Sequence, residues 1–176
     1  MYTVDDLIHD LKEAQKAGEL SAIQEAVRRA VAEKPLAEEP EKAKVLHDEP
    51  GLFVAHVAVR SGIQSSPHDH RTWAVIGVYN GQEDNTFYRK VATGETIEPA
   101  GGRSLKDRDV LTLGPEGIHS IANPREEMLV ALHVYGANIF KIERSAWDPV
   151  TGKERPFDMK IDGAGQIRTM RDIAGQ

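Results

Sequence analysis

Phe53-Val54-Ala55-His56-Val57-Ala58-Val59-Arg60 gathers aromatic and β-branched residues into one unbroken run that stops at Ser61-Gly62. A run of this length, ended by turn formers, is a strand. Working outward, Thr72 to Tyr79 repeats the texture and is stopped by Asn80-Gly81, a strong tight-turn signal. Runs over 86–91, 95–97, 109–113, 118–123, 128–135 and 139–144 follow at short spacing. Turns are expected between them at Ala92-Thr93-Gly94, Gly101-Gly102, Gly114-Pro115 and Asn123-Pro124. About eight short strands with no helix between them predict a barrel or jelly-roll sandwich.

The N-terminal part reads differently. Thr3 is placed to cap a helix whose first turn holds Asp5 and Asp6, with Val4, Leu7, Ile8 and Leu11 at helical spacing. Ala17-Gly18 breaks that pattern, and Ser21 is the expected cap of a second helix with Ile23, Val27, Ala30 and Val31 on one face. Pro35 and Pro40 bracket an acidic linker, and the β texture begins near Lys44. The expected layout is one domain of 176 residues: a helical pair over 1–40, a barrel over 44–146, and an extension over 147–176 that wraps the barrel and is partly mobile.

Composition excludes several classes of function. A net charge of −6 disfavours nucleic acid and anionic membranes as partners. With no cysteine, neither a disulfide framework nor a thiolate metal site can form. No apolar run approaches the roughly eighteen residues of a membrane span. The opening MYTVDDLIHD lacks the basic and apolar regions of a signal peptide, so the expected location is cytoplasmic. Homo-oligomerisation is left open.

The chemistry is concentrated in histidines. His68 and His70 stand two apart, a spacing that on a strand turns both imidazoles to one side. His119, from a neighbouring strand, can complete a facial set, while Asp69 is expected to face the other way and play a structural part. Gly62 lies six residues before His68, Gly81 closes the segment, and Asn123 follows His119 by four. This layout is similar to the two sequence motifs of the cupins, double-stranded β-helix barrels that hold a metal. The usual motif places a glutamate shortly after its second histidine; here those positions are Ala74 and Val75, leaving three neutral ligands.

A narrower resemblance rests on Pro67-His68-Asp69-His70, on Thr72-Trp73-Ala74-Val75-Ile76-Gly77 and on Leu132-His133-Val134-Tyr135-Gly136-Ala137-Asn138-Ile139. Together these look like the thiol dioxygenases, cysteine dioxygenases and especially the bacterial 3-mercaptopropionate dioxygenases, over roughly residues 44–156. The resemblance implies that His68, His70 and His119 hold Fe(2+), and that His133 and Tyr135 are the last two members of a Ser-His-Tyr relay. It implies a small thiol carboxylate and dioxygen as substrates, with Arg144 as carboxylate anchor and Lys44 at the position of another substrate-binding side chain. The chain departs from the family at Ala131, which stands where the relay serine belongs, so another group must fix the tautomer of His133.

The residues support that chemistry directly. Three neutral ligands leave about three octahedral positions open for a thiolate with a second donor group and for dioxygen, and Tyr135 offers a donor beside them. Two other readings share the same barrel: a different metal-dependent enzyme (lyase, isomerase or ring-cleaving dioxygenase), and a non-catalytic cupin that binds a small ligand. Arg71 is expected on the face opposite the metal, at the surface or supporting a ligand, His56 to be structural, and His9 and His47 solvated.

Overall fold

A computed structural model describes residues 2–35 and 43–162. Its elements are α1 (Val4–Ala17), α2 (Leu20–Glu33), β1 (Lys44–Glu49), β2 (Leu52–Val59), β3 (Ala74–Asn80), β4 (Gln82–Lys90), β5 (Ile97–Lys106), β6 (Val110–Leu113), β7 (Ile118–Ala122), β8 (Leu129–Tyr135), β9 (Ser145–Trp147), β10 (Glu154–Pro156) and α3 (Met159–Asp162). One sheet has the order β1-β2-β8-β3-β6 and a second the order β5-β4-β7, with every neighbouring pair antiparallel. The backbone of His68 bridges His119 on β7 and Ala146 on β9, and so joins the second sheet to the β9–β10 pair.

The two faces of the first sheet bury different partners. Strand alternation sends Val54, Val75, Val130, Leu132 and Val134 toward the helices, where they pack with Leu7, Leu11, Val27 and Val31. It sends Phe53, Ala55, Ala74, Ile76, Leu129 and Ala131 into the barrel, against Leu105, Leu111 and Ile121. Each of these side chains contributes about 1.5–3 kcal/mol when fully buried, less for alanine. Gly77 on β3 lets α2 lie against the sheet, because a Cβ there would stand 2.6 Å from Cγ1 of both Val27 and Val31.

The helix caps agree with the sequence at one end and not at the other. Thr3 and Asp6 form a reciprocal capping box, and Gly18 closes α1 in the left-handed conformation. Ser21 does not cap α2. That helix starts at Leu20, its N-cap Glu19 makes no side-chain cap bond, and the Ser21 hydroxyl donates to Glu19 Oε2 at 3.3 Å. The turn at Gly18 leads straight into a helix whose Leu20 already packs on the core.

Several strand limits also differ. β1, not separately anticipated, forms a hairpin with β2. Gly101-Gly102 is no turn: β5 runs through it opposite Thr86 and Phe87, with a register shift toward Tyr88. A Cβ on Gly102 would lie 2.9 Å from the Asn85 carbonyl oxygen, so the glycine serves close backbone approach at a bulge. Residues 139–144 form turns in place of a strand, because Asn138 Oδ1 accepts from the Phe140 amide at 2.9 Å and bends the chain. Within the expected C-terminal extension, Trp147 is buried and β10 and α3 follow as far as Asp162; residues 163–176 and most of the Pro35–Pro40 linker lie outside the described residues. No described helix is long and apolar enough to cross a membrane.

Candidate metal centre

His68 and His70 sit on an extended segment that is not a full strand; bridges from His68 to His119 on one side and Ala146 on the other pin it. The mutual backbone bonds of His68 and His119, at 2.8 and 3.0 Å, set the two residues side by side. His70 then follows at the same side, and one ring nitrogen from each histidine lies within 4.8 Å of the others. Nε2 of His70 and Nε2 of His119 are 3.4 Å apart, near the ~3 Å taken by two right-angled ligands with bonds of about 2.1 Å.

The outer nitrogens show how the rings are aimed. His68 Nδ1 donates to the Ser66 carbonyl at 2.9 Å and His119 Nδ1 donates to Asn85 Oδ1 at 2.8 Å, which leaves both Nε2 lone pairs for an ion. His70 Nδ1 is buried and has no hydrogen-bond partner among the described residues. Three buried, convergent imidazoles are a donor set that fits a divalent transition metal. Among the described residues no carboxylate belongs to the group. Ala74 points into the barrel, and the Asp69 carboxylate is taken by the Ser145 amide at 2.8 Å and Arg71 Nε at 2.7 Å, the structural part expected of it.

Burial keeps these rings neutral. It lowers His68 from 6.5 to about 4, with the Arg144 cation adding to the effect. It also holds His70 and His119 well below the ordinary value, each helped by its neighbouring histidines. In the unfolded chain the same rings take up protons near pH 6.5. The metal-free protein is therefore at full stability above that pH and loses stability as the pH falls toward 4. For His68 alone the loss at pH 5 is about 2 kcal/mol. Thermal unfolding of metal-free protein at pH 7 and pH 5 checks this, and a melting temperature that did not move would contradict it.

A cavity of about 300 Å³ opens in front of the three histidines. Its wall is largely apolar, from Ala55, Val57, Ile121, Ile139, Phe140 and Phe157, and its polar lining includes His133, Tyr135, Arg144 and Asp162. The volume is at the small end of ligand sites. Lys44 stands exposed at the start of β1 and lines the same cavity.

His133 and Tyr135 come from β8, where alternation turns both inward. Tyr135 Oη and His133 Nδ1 are 2.9 Å apart, and the tyrosine ring meets the His70 ring edge-on with centroids 5.0 Å apart. Burial pushes the Tyr135 hydroxyl far above its usual range, against an opposing pull from Arg144, so it stays protonated.

Arg144 lies in the loop before β9 and is 7% exposed, not on a surface strand. Its Nη1 donates to the Asp69 carbonyl and its Nε to the Ile139 carbonyl, both at 3.1 Å, while the guanidinium stacks 3.4 Å over the Phe157 ring. Burial lowers it to about 10, so it is still a cation near neutral pH. It has no ion-pair partner among the described residues.

Sequence reasoning missed two residues here, Glu83 and Asn85. Both are buried on β4 and face the barrel: Asn85 Nδ2 donates to Glu83 Oε1 at 2.9 Å, and Glu83 Oε2 lies 3.3 Å from His133 Nε2. The outer partner of His133 is therefore Glu83, from the opposite sheet. Gln82-Glu83-Asp84-Asn85 follows the Asn80-Gly81 turn, so hairpin alternation gives Glu83 and Asn85 a common face but does not name their partners.

No family model matches the chain. Among solved structures, it is similar to a cupin 2 conserved barrel domain protein from Salinispora arenicola, at 21% identity and a TM-score of 0.41, covering 53% of this chain and 73% of that one. It is also similar to an RmlC-like cupin family protein from Methanocaldococcus jannaschii, at 14% identity and a TM-score of 0.47, covering 59% and 88%. A third is an oxalate oxidase, at 14% identity and a TM-score of 0.43, covering 57% and 53%. With its antiparallel sheets and leading helices, the chain has the all-β, two-sheet architecture with an N-terminal helical pair that the strand pattern predicts.

Proposed function

We propose that this protein is an Fe(2+)-dependent thiol dioxygenase that converts a small thiol carboxylate to its sulfinate. The observation that carries the reading is the joint placement of the Tyr135–His133 pair and the buried Arg144 cation on one small cavity with three convergent histidines. In the overall reaction both atoms of dioxygen end on sulfur; the thiol sulfur gives up four electrons, dioxygen accepts them, and the thiol proton is balanced by the sulfinic proton. Iron held by the three imidazoles would supply a redox-active Lewis acid at which thiol and dioxygen meet.

The chain's own residues do the rest. Arg144, stacked on Phe157 and tied to two carbonyls, presents a fixed cation to the substrate carboxylate through a charge-assisted hydrogen bond. The apolar wall keeps water away from the reacting sulfur. Tyr135 holds a hydroxyl over the same space, oriented by His133.

The test is anaerobic iron loading followed by oxygen uptake over thiols with and without carboxylate and amine groups. Stoichiometric uptake with sulfinate formed from a carboxylated thiol is expected; no uptake with any thiol would overturn the reading in favour of another metal-dependent reaction or simple ligand binding. Arg144→Ala should raise KM for carboxylated thiols by about tenfold to a hundredfold, the loss of one charged hydrogen bond, and change KM for a cysteamine-like thiol little. An equal effect on both would sink the anchor assignment.

A further inference from the structure

We propose that Glu83 is a positioning residue that ties the orientation of metal ligand His119 to the hydrogen placement of the Tyr135–His133 pair, through one hydrogen-bonded chain crossing the barrel. The proposal rests on the reading of the three histidines as a metal centre and of Tyr135 as a catalytic residue. The chain runs from His119 Nδ1 to Asn85 Oδ1 (2.8 Å), from Asn85 Nδ2 to Glu83 Oε1 (2.9 Å), from Glu83 Oε2 to His133 Nε2 (3.3 Å) and from His133 Nδ1 to Tyr135 Oη (2.9 Å). Glu83 is completely buried and Asn85, His119, His133 and Tyr135 nearly so, so none of these bonds is shared with bulk water.

Donor and acceptor arithmetic fixes every direction in the chain. A histidine that binds a metal through Nε2 keeps its hydrogen on Nδ1, so Asn85 must present its oxygen to His119. Its amide nitrogen then faces Glu83. A carboxylate has only acceptors, so it takes one hydrogen from Asn85 and one from His133 Nε2. His133 Nδ1 is left facing Tyr135. If Nδ1 gains a second hydrogen, the resulting imidazolium lies beside a carboxylate and not alone in the barrel, and the Tyr135 hydroxyl can turn its own hydrogen to the cavity. A neutral hydroxyl in the place of Ala131 would not offer that compensation.

Glutamine at position 83 breaks the arithmetic while keeping the shape. One amide cannot accept on both sides, so with His119 held by a metal the hydrogen on His133 must move to Nδ1. The experiment is nitrogen-15 NMR of the histidine rings in the full chain loaded with zinc as a diamagnetic probe, with His133 assigned by its loss in His133→Asn. The wild type should carry a hydrogen on His133 Nε2. Glu83→Gln should carry it on Nδ1 alone and bind zinc about tenfold more weakly, the lower end of what an outer partner of a metal ligand contributes. Tyr135→Phe should leave zinc affinity unchanged.

A retained Nε2 hydrogen in Glu83→Gln, or zinc affinity equal to the wild type, overturns the coupling. Should that variant not fold, the wild type decides alone: a His133 ring with its hydrogen only on Nδ1 overturns it. These readouts need neither thiol nor oxygen, so they stand whether or not oxygen uptake supports the dioxygenase reading.

Discussion

His70→Ala should give a folded protein that has lost its divalent metal, with affinity lower by more than about a hundredfold, beyond the tenfold to hundredfold effect of outer partners. His70 is 2% exposed and its Nε2 lies 3.4 Å from His119 Nε2. Two remaining imidazoles would leave most of the coordination sphere to water. The fold should tolerate the change, because the lost contacts are offset by removal of a buried ring nitrogen that has no partner in the metal-free protein. Metal content after loading and dialysis, with calorimetric titration, reads the effect. Unchanged stoichiometry in His70→Ala would remove the metal centre from its proposed place.

Tyr135→Phe carries the second large effect. Turnover should fall by about tenfold to a thousandfold, the range for one donor lost opposite a developing charge. The ring stays, so its packing against His70 and Phe53 stays, and metal content should be unaffected. The hydroxyl's partner is His133 Nδ1, so the variant leaves that nitrogen unpaired and lowers stability by about 1–3 kcal/mol. A mutant with full turnover would show that the hydroxyl serves only to satisfy His133, and the proposed reaction would lose its principal support.

The parts of this protein that follow a short-range rule are legible in its sequence. The runs through Phe53, Ile76 and Val134 are apolar on both sides of the strand because helices cover one face and the barrel core the other. The Thr3 cap and the helical faces follow equally simple spacing. Loop 139–144 was misread because its apolar residues look like a strand while the decisive bond, from the Phe140 amide to Asn138, is a turn bond. Three of the expected site groups show themselves as residue types: the His68–His70 pair, His119, and the His133–Tyr135 pair. Glu83 does not. It meets His133 across fifty positions of sequence, from a polar run with low strand preference, and only closure of the two sheets brings them together. Ala131 pointed to a missing partner, but not to where its replacement would come from.

β8 is buried along its whole length, with Leu129, Ala131, His133 and Tyr135 on one side and Val130, Leu132 and Val134 on the other. Its backbone pairs with β2 along its whole length and with β3 from Val130 to Tyr135, with one register shift near Val78. Amide hydrogens on such a strand exchange with solvent only when the whole molecule opens. The amides of His133 and Tyr135 should therefore be among the slowly exchanging ones, which hydrogen exchange would check. Residues 139–144 form turns without strand pairing, so any motion at this site should change access and the setting of Arg144 before it moves the tyrosine and histidine.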